Sequence, residues 1–141
     1  MRYVDTSVLV AYLTHEAGSD VAESFMRSAG PPLAISTWTE VELRSALGLK
    51  IRSKQLSRAM AATVMHAYAQ HVSPQLSHIH VDDGNHRDAA LLLDGWRSSL
   101  RAADALHLAI AATYHASIHT FDGDMAKSAK LFGIDAHLLT S

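Results

Sequence analysis

Four acidic residues stand at positions from which a folded chain could bring their carboxylates together. Asp5 ends the apolar run that opens the chain, and Asp122 follows a predicted strand at 117–121. Glu42 and Asp104 lie near the starts of two segments with helical periodicity. Converging carboxylates cannot all stay ionised without a compensating cation. The four acids therefore predict a magnesium or manganese site, and such a site indicates phosphodiester chemistry.

Asp104 is the acid that is hardest to explain by local structure alone. It interrupts the alanine-rich segment 102–115, which is apolar on nearly every side and is predicted to be a buried helix. A charge buried there is costly unless a cation or hydrogen bonds compensate it. This position therefore indicates a functional acid.

The other candidate acids also have structural explanations. Asp5 and Asp122 could each cap the helix that follows. Glu42 could be a solvated helix acid, although its neighbour Glu40 is already assigned to a predicted capping box that opens at Thr37. Asp124 could interact with the dipole of a helix start rather than with a metal.

Several polar side chains accompany these acids in the sequence. Thr6, Ser7 and Thr120 adjoin the acids at the strand ends, where their hydroxyls could orient a carboxylate or cap the chain locally. His107 lies one helical turn after Asp104 and could shuttle protons. A histidine held at the edge of the core by hydrogen bonds is the simpler expectation.

The acids must be positioned by an alternating series of strands and helices. We predict strands at 2–6, 33–36, 117–121 and 134–138, and either a weak strand or an extended linker at 79–81. We predict helices at 7–13, 20–29, 37–51, 54–72, 85–98, 102–115 and 122–132. This alternation favours an α/β fold with a parallel sheet covered on both faces. Asp5 and Asp122 would then share the edge of the sheet where ligands bind.

Composition limits the remaining possibilities. A chain of 141 residues is expected to form a single domain, spanning 1–141. The absence of cysteine excludes disulfides, zinc–thiolate sites and thiol nucleophiles. No secretion signal or long apolar run is visible, so we expect a cytoplasmic protein without a membrane partner.

The charge distribution is uneven although the net charge is only −2. That value disfavours nucleic-acid binding by bulk charge, so any such contact needs a local basic patch or a metal. One stretch carries cations and no acid between Leu43 and Met60: Arg44, Lys50, Arg52, Lys54 and Arg58. It could supply phosphate contacts, or it could be a solvated helical hairpin.

Four segments resemble the motifs of PIN-domain proteins, in the expected order. They are YVDTSVLV at 3–10, TEVELRSAL at 39–47, LRAADALHLA at 100–109 and TFDGD at 120–124. The first and third are specific, whereas the second and fourth would be weak alone. A small PIN domain with these motifs is similar to the VapC toxins of bacterial and archaeal VapBC toxin–antitoxin modules.

The resemblance implies a fold, an activity and partners. The fold would be a three-layer α-β-α sandwich with a central parallel sheet. The activity would be a Mg²⁺-dependent or Mn²⁺-dependent endoribonuclease, which acts on RNA as a toxin. The toxin would be a homodimer, inhibited by a VapB-like antitoxin whose C-terminal segment enters the active-site groove.

The resemblance also implies roles for the acids. Asp5, Glu42, Asp104 and Asp122 would form an acidic quartet, with Asp5 and Asp104 as direct metal ligands. Glu42 and Asp122 would hold water or a second ion. The fourth motif varies in which acid it uses, so Asp124 stays open as an alternative to Asp122.

Other functions are compatible with the same residues. The chain could be a PIN nuclease that is not a toxin, or a metal-binding PIN scaffold without catalysis. A phosphohydrolase with Asp5 as nucleophile is disfavoured, because Ser7 occupies the position where such enzymes typically carry a second acid.

Overall fold

Five short strands form one parallel sheet in the computed structural model, which describes residues 1–28, 30 and 32–140. The strands are β1 (Arg2–Val4), β2 (Leu33–Ser36), β3 (Ser77–Ile79), β4 (Ser117–Thr120) and β5 (Ala136–Leu138). Their order across the sheet is β3-β2-β1-β4-β5, and every neighbouring pair is parallel. The first strand of the chain is therefore central, with its carboxyl end between those of β2 and β4.

Seven α-helices flank this sheet within the described residues. They are α1 (Thr6–Leu13), α2 (Ser19–Ser28), α3 (Thr37–Arg52), α4 (Arg58–Ala67), α5 (Asp83–Leu93), α6 (Ala102–Thr113) and α7 (Gly123–Leu131). A π-helical turn, Tyr68–Val72, and a 3₁₀ turn, Ser73–Gln75, lead from α4 to β3. The architecture is the expected three-layer α-β-α sandwich.

Alternation along the strands divides the core into two layers. Tyr3 packs with α6 and α7 on one face of the sheet, whereas Val4 packs with α1 and α3 on the other. Ala34 and Ile35 on β2 divide in the same way. Successive strand residues point to opposite faces, so each strand supplies both cores.

Two helix predictions need correction. The helix predicted at 54–72 begins only at Arg58, because Lys54 adopts a left-handed conformation (φ 62°) and Ser57 caps the helix. The helix predicted at 85–98 ends at Leu93, because Gly95 and Trp96 have positive φ. Both errors came from apolar spacing that continued across a turn.

The start of α3 also differs in detail from the prediction. Its capping box is formed by Ser36 and Thr39, so Glu40 is not the capping acid. The predicted end of α2 at Ala29 lies outside the described residues. Within the described part of the chain, none of the helices has the length and apolarity that crossing a bilayer requires.

Candidate active site

Asp5 lies directly after β1, at the carboxyl end of the central strand, and only 5% of it is exposed. Its Oδ2 accepts a 2.6 Å hydrogen bond from Ser7 Oγ and a 2.8 Å bond from Thr120 Oγ1. It occupies the cap position of α1, but its side chain makes no capping bond. The carboxylate is therefore held by two hydroxyls and does not cap α1.

Glu42 reaches the same region from the second turn of α3. Its Oε1 accepts a 2.7 Å bond from Thr6 Oγ1 and contacts Nε2 of His107. Burial raises the pKa of Glu42, but the bond and charge of His107, with the Thr6 bond, outweigh burial and lower this pKa. Glu42 therefore stays ionised in the site.

His107 connects Glu42 to the interior of the sheet. It is fully buried, and its Nδ1 lies 2.6 Å from Tyr3 Oη, which in turn lies 2.8 Å from Ser36 Oγ. A neutral ring donating to Glu42 from Nε2 would accept the Tyr3 hydroxyl at Nδ1, and a protonated ring would donate at both nitrogens. Burial lowers the pKa of His107, but Glu42 and Asp5 more than compensate and raise it.

Asp104 joins the group from the first turn of α6. Its pKa is raised to about 6 by burial and then by the charges of Asp5, Asp122 and Glu42, although His107 acts in the opposite direction. Like charges can shift a carboxyl pKa in this way only when they lie close to it. The fold thus brings the four predicted acids into one electrostatic neighbourhood.

Asp122 and Asp124 occupy different environments at the start of α7. Asp122 Oδ1 accepts bonds from the backbone N–H groups of Asp124 (2.9 Å) and Met125 (3.2 Å), so Asp122 is the N-cap of α7. It also contributes to the raised pKa of Asp104, so capping does not remove it from the acidic group. Asp124 is exposed and lines a neighbouring groove.

The donor set suits a hard divalent cation. One oxygen each of Asp5 and Glu42, with a ring nitrogen of His107, lie within 4.8 Å of one another. The mutual repulsion that raises the pKa of Asp104 is the kind of repulsion that a bound cation would relieve. Mg²⁺ and Mn²⁺ prefer such carboxylate oxygens.

Sequence reasoning missed Tyr3 and Ser36 as members of this network. A signal for Tyr3 existed, because residues two apart in an extended segment project to the same side, and Tyr3 precedes Asp5 by two. Thr6 and Ser7 were left open as capping or orienting residues. Thr6 donates to Glu42 and Ser7 donates to Asp5, so both orient acids.

A cavity of about 850 Å³ opens beside the acids. Its lining includes Thr6 and Ser7, which donate hydrogen bonds to Glu42 and Asp5. It also includes the apolar side chains of Val10, Phe121 and Leu139.

The basic stretch 44–58 is partly neutralised. Arg44 pairs with Glu40 at 2.8 Å, and Lys50 pairs with Glu16 at 2.8 Å. The remaining cations of the stretch are exposed: Arg52, Lys54 and Arg58. The stretch therefore offers less free positive charge than its composition suggests.

Comparison with protein-family models gives a match to the PIN domain over residues 2–131. Comparison with curated protein sequences gives no match. Among solved structures, the chain is similar to VapC20 of Mycobacterium tuberculosis, a toxin that cleaves the sarcin–ricin loop (TM-score 0.74, 21% identity, 91% of this chain and 95% of that chain covered).

Two complexes contain similar chains. One is the FitAcB structure from Neisseria gonorrhoeae (TM-score 0.77, 18% identity, 96% of each chain covered). The other is VapBC2 from Rickettsia felis, bound to a fragment of promoter DNA (TM-score 0.71, 16% identity, 99% of this chain and 100% of that chain covered). At these identities the similarity establishes a shared fold.

Proposed function

The chain belongs to the PIN domain family, and from this premise we propose that it is a divalent-metal-dependent endoribonuclease that hydrolyses RNA phosphodiester bonds. The proposal is supported chiefly by the oxygens of Asp5 and Glu42, which lie with a nitrogen of His107 within 4.8 Å of one another. Burial and the charges of Asp5, Asp122 and Glu42 raise the pKa of the nearby Asp104 to about 6. A site that holds carboxylates in mutual repulsion is suited to binding a cation.

Asp5 and Asp104 are the proposed metal ligands, with Mg²⁺ as the expected ion and Mn²⁺ as an alternative. When bound, the metal supplies Lewis-acid stabilisation of the phosphate and lowers the pKa of water. Ser7 and Thr120 hold the Asp5 carboxylate in one orientation through their bonds to Oδ2. Asp122 completes the acidic group and fixes the start of α7 beside it.

Glu42 is proposed to orient the attacking water. Thr6 and His107 both contact its Oε1 and so hold that oxygen in place. The lowered pKa of Glu42 keeps the group ionised, so its second oxygen can accept a hydrogen bond from water. The orientation of Glu42 then depends on Thr6 and on the histidine behind it.

We further propose that the enzyme is the toxin of a type II toxin–antitoxin pair and works as a homodimer. The similarity to a VapC toxin and to FitAcB and VapBC2 complexes supports a VapB-like antitoxin partner. The apolar cavity beside Thr6 and Ser7 supports a site where an antitoxin segment could approach the acids. A noncatalytic PIN scaffold is less well supported, because all four motif acids are present.

The test is growth arrest on induced expression, with sequencing of new RNA 5′ ends. Wild type is compared with Asp5→Asn and with Asp88→Asn, which changes an exposed acid on α5. We expect arrest with discrete cleavage sites in wild type and Asp88→Asn, and neither in Asp5→Asn. Arrest that survives in a folded Asp5→Asn variant would contradict catalysis at this site.

The absence of arrest would contradict the proposed toxin function but would not contradict the proposed nuclease activity. Purified protein would then be assayed for Mg²⁺-dependent and Mn²⁺-dependent cleavage of RNA. Cleavage without arrest would identify a PIN nuclease outside toxin biology. Binding of Mn²⁺ without cleavage would identify a metal-binding scaffold.

A further inference from the structure

The loop between α5 and α6 holds an unusually exposed tryptophan. Trp96 is 90% exposed and has a left-handed backbone conformation (φ 49°), directly after Gly95 (φ 80°). Positive φ is readily adopted by glycine but costs free energy in a residue with a bulky side chain. Such strain, combined with an indole left in water, indicates a role other than packing.

This tryptophan borders a groove of about 600 Å³ between the loop and α7. The groove is lined on the loop side by Arg97 and Ser99 and on the α7 side by Asp124 and Lys127. The guanidinium of Arg97 lies 5.5 Å from the centre of the Phe132 ring, so a cation–π contact holds it. The groove therefore combines a flat aromatic surface with two cations.

The groove is connected to the acid site at two points. Asp124 lines it, and the backbone N–H of Asp124 donates to Asp122, one of the four acids. At the other side, the loop ends at Arg101, the N-cap of α6, whose first turn carries Asp104. The start of α7 and the residues that precede α6 therefore connect the groove to the acids.

We infer that this groove, with Trp96 as its stacking platform, binds a nucleotide of single-stranded RNA next to the bond that is cut. The inference rests on the proposed nuclease function and identifies a site where the RNA substrate is bound. The base stacks on the indole, and Arg97 and Lys127 contact phosphate. Asp124 can accept a hydrogen bond from a ribose 2′-hydroxyl, a group that distinguishes RNA from DNA.

Charge favours RNA over an apolar protein segment as the occupant. An apolar partner would bury Arg97, Lys127 and Asp124 without compensating groups, and burial of unpaired charge is costly. A polyanion with flat bases matches both the cations and the indole. The competing explanation for the exposed Trp96 is a contact with a protein, and in that case Trp96→Ala would leave RNA binding unchanged.

The experiment measures RNA affinity without cleavage. A fluorescein-labelled single strand of about 12 nucleotides, long enough for several subsites, is titrated in EDTA and followed by fluorescence anisotropy. Trp96→Ala is compared with Trp96→Tyr, which keeps an aromatic face. Leu91→Ala is the matched control, since Leu91 is 67% exposed on α5 and does not line the groove.

We expect Trp96→Ala to weaken binding by about 5- to 100-fold, the usual effect of removing one stacking platform. Trp96→Tyr should retain most of the affinity, and Leu91→Ala should bind like wild type. Lys127→Ala should reduce the slope of log affinity against log salt by about 0.7, as expected for one lost contact to a single strand. Circular dichroism confirms that each variant is folded.

Three outcomes would overturn the inference. They are wild-type affinity in Trp96→Ala, no RNA binding by wild type, and a loss of binding that sedimentation traces to a broken dimer. The proposed catalysis is judged separately by cleavage in Asp5→Asn, which lies outside the groove. If Asp5→Asn loses cleavage and Trp96→Ala binds RNA like wild type, the proposed nuclease activity stands and the proposed RNA site in the groove is wrong.

Discussion

The hydroxyl of Tyr3 lies 2.6 Å from Nδ1 of His107, and this contact joins the acid site to the interior of the sheet. Both side chains are fully buried, and the opposite ring nitrogen of the histidine contacts Glu42. A residue of the central strand thereby sets the orientation of an imidazole that holds a candidate catalytic acid. The orientation of Glu42 therefore depends in part on a tyrosine in the core of the protein.

Tyr3→Phe is expected to reduce both stability and turnover. The change removes the hydrogen-bond partner of His107 Nδ1 and one of the partners of Ser36 Oγ, and the unfolding free energy should fall by about 1–3 kcal/mol. RNA cleavage should slow through kcat, since the substrate contacts themselves are intact. Urea denaturation and steady-state kinetics measure the two effects. Tyr12→Phe, at a half-buried position of α1, is the control and should leave kcat unchanged.

Asp104→Asn is expected to stabilise the metal-free protein while abolishing cleavage. The folded pKa of about 6 lies above the ordinary value near 4, so the ionised group destabilises the fold above pH 6. Removing it should raise the unfolding free energy at pH 8 by about 1 kcal/mol, after allowance for solvent screening. The gain should shrink as pH falls from about 6 to 4 and disappear near pH 3, below the unfolded pKa of 3.8, where wild-type Asp104 is largely protonated in both states. Thermal melts at both pH values in EDTA provide the measurement.

Titration of His119 is expected to lower the free energy of unfolding in mild acid. Burial, together with the charges of His137 and Arg2, lowers the pKa of His119 to about 4. As pH falls, His119 takes up a proton in the unfolded state at about pH 6.5 but in the folded state only near pH 4. The contribution of His119 to the unfolding free energy therefore decreases between these pH values. The effect is on the order of 1 kcal/mol, because the ring is not fully shielded from solvent.

A substitution separates this contribution from other titrations. The ring of His119 stacks on His137, with centroids 4.7 Å apart, and lies 4.8 Å from the ring of Phe25. His119→Phe should keep this packing and lose less stability than wild type between pH 7 and pH 5. Equal losses in both proteins, measured by urea denaturation, would contradict the assignment.

Ser7→Ala and Thr120→Val are expected to weaken metal binding without removing a ligand. Each change deletes one hydroxyl that orients the Asp5 carboxylate. Loss of a group that orients a metal ligand typically costs about 10- to 100-fold in affinity. Isothermal titration with Mn²⁺ measures the change. Ser45→Ala, at an exposed position of α3, is the control, and a similar loss there would show that the effect is not specific.

Much of the fold was predictable because its signals are local. The strand at 33–36 was placed correctly, and the end of α7 was indicated by Gly133, whose φ of 70° favours glycine. The errors lie where two local signals competed. At Gly95 the apolar spacing continued toward Trp96, but the glycine ended the helix and left the indole exposed.

The sequence by itself determined which acids stand at the strand ends and helix starts, because alternation, helical periodicity and the cost of burying a charge act over a few residues. Only the tertiary structure decided which side chains hold those acids. Thr120 reaches Asp5 because β4 lies beside β1, with His119 opposite Val4. Contacts between residues so distant in the chain depend on strand order and register, which the packing of the whole sheet sets and no local pattern encodes.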